Sequence, residues 1–364
     1  MEGGIQLQKN GITQRKQEKN YDFFAAASEL LADLPQRSQE IVKKRFGLFQ
    51  AKPQTLEKIG TDYGITRERI RQIITDVVKK ISLKRNEPGF KKAEDEIIFT
   101  IEANNGIIKK SEIIEILSAG DYREANALIF LYECSSKIFA VEEESIHESW
   151  VVNKKKIEKV KEVALMAQEI LKKEKKLLTD KEIIKAIAGS RQDLPGEEIL
   201  NYLKVLSGIE KNKFGKWGMA DWAEINPKGT RERIYAIFKE KKTPLHFTQI
   251  AKLIDEYGLS KRKAHIQTIH NELIKNDRFV LIGRGIYALK EWGYYAGTIR
   301  DVLERIFRKN KKFLSKEEIF REVSKVRQVK KATVLINLSN DKLFVKQNNL
   351  YSVRTDSHRI LRNV

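Results

Sequence analysis

The residues with the clearest chemistry fall in one short stretch. Arg67, Glu68, Arg71, Gln72, Thr75 and Lys79 recur at spacings that place them on one face of a helix. Arg can bind guanine through two hydrogen bonds, Gln can do the same with adenine, and Glu can accept from the cytosine amine. Thr and Lys suit phosphate and sugar oxygens. The opposite face carries Ile70, Ile73, Ile74, Val77 and Ile81, an apolar stripe at helical spacing. One face is thus fit to read base edges while the other is buried. The plainer reading of the same residues is a solvated charged face on an ordinary helical bundle.

The elements that must position this face are legible just upstream. Leu56 and Ile59 give a shorter helix its apolar side. Tyr63-Gly64-Ile65 makes a tight connection, in which Gly64 can take a positive φ without steric cost. Thr66 is a good N-cap for the helix that follows and, at its start, is a further candidate DNA contact. A helix, a short turn containing Gly and a second amphipathic helix make a helix-turn-helix. In that motif the second helix lies in the DNA major groove, its N-terminal residues at the bases. Residues 62–85 hold seven Lys and Arg against three Asp and Glu, a net charge of +4. That sign favours a phosphate-facing element.

The stretch 34–81 resembles region 4 of bacterial primary sigma factors, the part that reads the promoter −35 element. The residues that carry the likeness are Leu34-Pro35, Arg37, Arg45-Phe46-Gly47-Leu48, Thr55-Leu56-Glu57, Ile59-Gly60, Gly64-Ile65-Thr66 and Arg67-Glu68-Arg69-Ile70-Arg71-Gln72-Ile73. By position, the resemblance implies that Arg67, Glu68, Arg71 and Gln72 contact bases and phosphates. Ile74 departs from the family, which usually has Glu there. The resemblance also implies contact with promoter DNA, with the polymerase flap element, or with both. The stretch before Leu34 is too short for a promoter-melting domain, so the chain is not expected to open promoters alone.

Composition agrees with a nucleic-acid partner. The chain has 364 residues, a formal charge of +20 and a pI near 9.6. Such an excess of Lys and Arg favours anionic partners. No apolar run is long enough to span a membrane, and the N-terminus lacks the apolar core of a signal peptide. Cys134 is the only cysteine, which excludes an internal disulfide and a Cys-based zinc site. A reducing, cytoplasmic setting (the bacterial nucleoid) is expected.

The expected organisation is mainly α. Residues 1–20 read as a polar lead. Residues 21–87 hold the helix-turn-helix, with a first short helix whose Phe23, Phe24, Leu30 and Leu31 pack on it. Pro35 is placed in the first turn of the next helix, and Pro88-Gly89 ends the long one. After Pro88 a pattern repeats loosely over 88–153, 154–226, 227–295 and 296–354. Each unit has a helix, a second helix with a good starting residue, a third helix, then two short β runs. In the third unit Thr248 is the expected cap. Three helices and a hairpin describe a winged helix, so tandem winged-helix units are expected. Generic helical domains remain open for the first, second and fourth. A basic tail, 355–364, follows.

The third unit resembles the HARE-HTH module, a relative of which forms the N-terminal domain of the delta subunit of Gram-positive RNA polymerase. The matching residues are Pro244-Leu245-His246-Phe247, Ile250, His265-Ile266-Gln267-Thr268-Ile269-His270, Arg278-Phe279 and Gly283-Arg284-Gly285-Ile286-Tyr287-Ala288-Leu289. Such modules bind DNA or protein. Lys261 and Arg262, ahead of the third helix, and Arg284, at the wing tip, are candidate phosphate contacts.

No enzyme is expected. His265 and His270 lie five apart, off a single helical face, with no acidic or Cys partner at ligand spacing. His246 sits between apolar neighbours and is expected to pack. No Walker-type loop or nucleophile elbow occurs, and no cofactor is called for. The aromatics Trp217, Trp222, Tyr287, Trp292 and Tyr294 near the hairpins are expected to pack in cores. The whole reads as a transcription regulator that binds double-stranded DNA of promoter type, with RNA polymerase a candidate partner. Two alternatives stay open: a delta-like polymerase accessory protein, and the DNA-targeting module of a restriction or repair system.

Overall fold

The computed structural model describes residues 21–49, 52–84, 86–141 and 143–354. The expected lead and basic tail lie outside them. The described residues are mostly helical, with small antiparallel sheets. The chain forms two compact units, residues 1–210 and 211–364.

The first unit opens with α1 (Phe23–Ala32), α2 (Gln36–Phe46), α3 (Leu56–Tyr63) and α4 (Arg67–Leu83). Pro35 sits just ahead of α2 as its N-cap, one residue outside the expected position. Next come α5 (Pro88–Ala103), β1 (Ile107–Lys109), α6 (Lys110–Ser118), α7 (Tyr122–Cys134), β2 (Phe139–Val141) and β3 (Ser149–Val151). Pro88 does not stop α4, which ends at Leu83. It is the first residue of α5, where a missing N–H leaves no bond unmade. β3 lies between β1 and β2, with Ile108 opposite Trp150. Then follow α8 (Lys155–Glu174), β4 (Leu178–Thr179), α9 (Asp180–Ala188), α10 (Gly196–Val205) and β5 (Ile209–Lys211).

One apolar core runs across residue 87. It joins Phe23, Leu30, Leu31, Val42, Leu48, Val77 and Ile81 to Phe90, Ile97, Leu128, Phe130 and Trp150. Phe23, Leu30 and Leu31 of the first helix thus share a core with α2 and α4, as expected, and most of its neighbours lie beyond the helix-turn-helix. α1 packs chiefly on α5 and α7, and Glu124 of α7 accepts from the N–H groups of Phe23 and Phe24 at 2.8 and 3.3 Å. A carboxylate on those otherwise unmatched donors fixes the start of α1 against α7. Glu94 is buried in this region and is matched by Lys137 at 2.5 Å and the Ser135 hydroxyl at 2.7 Å.

Cys134 ends α7 inside this core, and burial pushes its thiol pKa up. The native protein is therefore expected to resist thiol reagents, since the thiolate is the reactive form. Labelling with a chromogenic disulfide should appear only with denaturant. Rapid labelling of the native chain would contradict this packing.

The second unit begins after residue 210, inside the stretch 154–226 that the sequence reading kept whole. Val205 O accepts from His147 N–H at 2.8 Å, and Ser145 O from Ser207 N–H at 3.0 Å, which binds 196–207 to the preceding residues. Past the break, Phe214 packs edge-on against Tyr257, and Lys216 pairs with Glu240 at 2.6 Å. The second unit comprises β6 (Lys216–Met219), α11 (Thr230–Lys241), β7 (Leu245–His246), α12 (Phe247–Glu256), α13 (Ile266–Lys275), β8 (Phe279–Gly283) and β9 (Ile286–Leu289). It ends with α14 (Ile299–Asn310), α15 (Lys316–Val326), α16 (Lys331–Leu338), β10 (Phe344–Gln347) and β11 (Leu350–Val353). β9 lies between β7 and β8, repeating the order of the first sheet.

His246, not Thr248, caps α12. Pairing of β7 with β9 keeps the chain extended through His246, and Phe247 N–H then donates to Gly285 O at 3.0 Å as the helix begins. His246 is thus a capping residue, and its half-buried ring lies beside Phe247. The aromatics behave as expected where they are deepest: Trp217 and Tyr287 are buried.

Candidate nucleic-acid interface

The geometry of α3, its turn and α4 follows from a few local contacts. Thr55 accepts from Lys58 N–H at 3.3 Å, and Thr66 from Arg69 N–H at 3.2 Å, so each helix has a side-chain cap. Between them Gly64 takes the left-handed conformation, φ 62°, and Ile65 N–H donates to Gly60 O at 3.0 Å. Ile41, Ile59 and Ile70 are fully buried where α2, α3 and α4 meet, with Leu56, Tyr63, Ile65, Ile73 and Ile74 around them. α2 is tied to this pair by the Lys44–Asp62 ion pair at 2.6 Å and by the Tyr63 hydroxyl, which donates to Glu40 at 2.9 Å.

The apolar stripe of α4 is divided between two cores. Ile70 closes the small one, Val77 and Ile81 belong to the large one, and Ile73 and Ile74 are only half-buried. The recognition face is therefore carried on a helix whose far end is anchored in the large core, where it meets α7.

All the residues expected on the reading face are exposed: Thr66, Arg67, Glu68, Arg71, Gln72, Thr75 and Lys79. Their present partners differ. Glu68 accepts from Arg71 at both guanidinium positions, at 3.0 and 2.7 Å, and this pairing holds the Glu68 carboxyl below the usual carboxylate range. Arg67 lies 4.0 Å from Glu57. Thr66 is engaged in capping, and Thr75 donates to the Arg71 carbonyl at 2.9 Å. Arg69 was missed by the sequence reading. It lies on the flank of the face and donates to Gln72 at 3.1 Å, a contact foreshadowed only by the spacing of three.

Exposed ion pairs hold little stability and are easily exchanged for a ligand. The Glu68–Arg71 pair thus orients the guanidinium toward solvent while leaving both groups free to engage bases. Arg71→Ala and Glu68→Ala are each expected to change base preference by about tenfold or more at one position. The melting temperature should stay near that of the parent. Selection from a randomised duplex library tests this: unchanged preference in both variants, with binding retained, would remove α4 from the reading role.

The remaining expected contacts lie in the second unit. Lys261 and Arg262 are exposed in the loop between α12 and α13, where Asp255 accepts from Ala264 N–H at 2.7 Å. Arg284 is exposed in a two-residue turn between β8 and β9. That hairpin is tight: a Cβ on Gly285 would fall 2.5 Å from the His246 ring. Among the described residues no group of three or more His, Cys, Asp or Glu could hold a metal ion, and no helix is long and apolar enough to cross a membrane.

Comparison with known protein families falls on the same segment. Residues 30–82 match the family model of Sigma-70, region 4. RNA polymerase sigma factor RpoS of Coxiella burnetii is 38% identical over 72 residues, which cover 20% of this chain and 20% of that protein. The chain thus spans about a fifth of the length of the curated relative it matches. Residues 30–82 form a helix-turn-helix like sigma region 4, a DNA-binding module of promoter recognition.

Proposed function

We propose that this protein is a transcription factor that reads promoter-type duplex DNA through α4. In this reading Arg67, Glu68, Arg71 and Gln72 face base edges, and Thr66, Thr75 and Lys79 face the flanking backbone. The observation that carries it is the exposed polar face of α4, held opposite the buried Ile41–Ile59–Ile70 contact, within the segment similar to sigma region 4. RNA polymerase is the proposed protein partner and the cytoplasm the proposed setting.

The four stretches after α4 are read as winged helices. What supports this is the element order: helix, short strand, helix, helix, two strands in the first three stretches. In the fourth the short strand is reduced to Leu314, bridged to Tyr351. The likeness of residues 244–289 to HARE-HTH modules fits the third. Lys261, Arg262 and Arg284 are assigned to phosphate.

The test is selection of duplexes from a random library by the purified protein at physiological salt, without polymerase. Enrichment of a short motif akin to a −35 element supports direct reading by α4. Retention without a motif, or no retention, excludes it and favours an accessory protein bound to polymerase, which a pull-down of polymerase would then reveal.

A further inference from the structure

We propose that residues 211–364 form a second DNA-binding surface, one that holds duplex DNA by its phosphates without reading sequence. It does not depend on which sequence α4 recognises. The charge of the chain is very unevenly divided. Residues 211–364 hold 34 Lys and Arg against 16 Asp and Glu, so 18 of the 20 net positive charges lie there. Residues 21–87, which include the helix-turn-helix, hold 13 against 9, and residues 88–210 hold 19 against 23. The large basic excess is therefore not where the likeness to sigma region 4 lies.

Part of this excess is displayed where α13 and α16 begin and on two hairpins. The loop before α13 presents Lys261, Arg262 and Lys263, all exposed and none paired with a carboxylate among the described residues. The corresponding place before α16 presents Lys330 and Lys331, both exposed, with the Lys331 ammonium 5.2 Å from the centre of the Phe320 ring. Neither α13 nor α16 has an acidic residue in its first turn. In the two earlier modules acidic residues stand there and pair with the local cations: Asp121 and Glu124 begin α7, with Arg123 paired to Asp121, and Glu197 and Glu198 begin α10, with Arg191 paired to Asp193 just before it. Arg284 and Lys346 add cations to the two hairpins.

Cations spread over several loops match a polymer of regularly spaced phosphates better than one small anion, which needs groups that converge. Duplex DNA is the polymer favoured here because the same chain carries a DNA-reading helix. Each phosphate neutralised adds about 0.9 to the slope of log affinity against log salt. A sequence-blind surface of this kind raises affinity and local search around a site that α4 then selects.

The experiment uses the full chain with Lys261→Glu, Arg262→Glu, Lys263→Glu, Lys330→Glu and Lys331→Glu combined. Binding to a random-sequence duplex is measured from about 50 to 200 mM salt. The slope is expected to fall by about 2 to 4, and affinity at the middle of the range by about tenfold or more. The ratio of affinities for the motif preferred by α4 and a scrambled duplex should not move. Five reversals at Lys155, Lys172, Lys173, Lys181 and Lys185, exposed in the acidic modules, form the control and should leave the slope unchanged. Circular dichroism confirms that both variants fold. An unchanged slope in the first variant, or an equal fall in the control, overturns the proposal. So does loss of binding to phosphatidylserine vesicles with DNA binding intact, which would mark a lipid surface instead. Failure of the α4 reading appears separately, as the lack of any preferred motif in the parent.

Discussion

Phe90→Ala is expected to make motif-specific DNA binding far more sensitive to urea although Phe90 lies outside the segment similar to sigma region 4. Phe90 is 1% exposed and sits in α5, in the core that also takes Val77 and Ile81 of α4. Truncating a fully buried Phe removes its transfer free energy and leaves a cavity, together about 3–5 kcal/mol. Domains are stable by only about 5–15 kcal/mol, so the loss is a large part of the total. The far half of α4 depends on this shared core, because the helix-turn-helix keeps only Ile41, Ile59 and Ile70 as a fully buried core of its own. Loosening of α5 and α7 should therefore reach the recognition helix. Urea titration read by circular dichroism, by Cys134 labelling and by binding of the selected motif should give coincident midpoints, all shifted down together. Wild-type affinity for the motif in a variant whose Cys134 has become reactive would show that α2–α4 stand alone.

The same division of α4 explains what was legible in the sequence. The two faces of residues 67–81 were readable because side chains three and four apart share a helix face. Caps at Thr55 and Thr66 and the turn at Gly64 are local chemistry, decided within a few residues. Which core each apolar residue joins was not local. Ile70 and Ile81 look alike in the stripe, yet one closes α2–α4 and the other meets α5 and α7. Nor could spacing show that Glu124, a hundred residues on, would cap α1. Thr248 was misread as the cap because a neighbouring strand, not the local flanks, decides where α12 begins. At the site, positions on the face were legible, but present partners such as Gln72 for Arg69 depend on rotamers that sequence does not specify.

Gly60→Val is expected to be the most damaging single change within the helix-turn-helix itself. Gly60 lies inside α3, where Gly is normally the poorer helix former by about 1 kcal/mol against Ala. Propensity alone would thus favour replacing it. The turn decides the opposite sign. A Cβ at residue 60 would lie 2.7 Å from the Ile65 carbonyl oxygen, which is backbone and cannot swing aside like a side chain. The same turn is closed by the bond from Ile65 N–H to Gly60 O, so relief of the contact must open the turn and break that bond. A branched side chain adds bulk on both sides of Cβ, in a core so close-packed that one methylene is felt. The expected cost is about 3 kcal/mol or more, by analogy with overpacked cores. Ala, with one methyl, should cost less, partly offset by its helix preference. Gly64→Ala provides the contrast. Gly64 has open space around it, so only the positive φ is penalised, by about 1 kcal/mol. Thermal melts of the three variants should rank Val worst, and only the Val variant should lose motif binding at a temperature where the parent is folded. If Val and Ala at residue 60 melted together with the parent, the close approach of turn and helix would not be what sets the angle between α3 and α4.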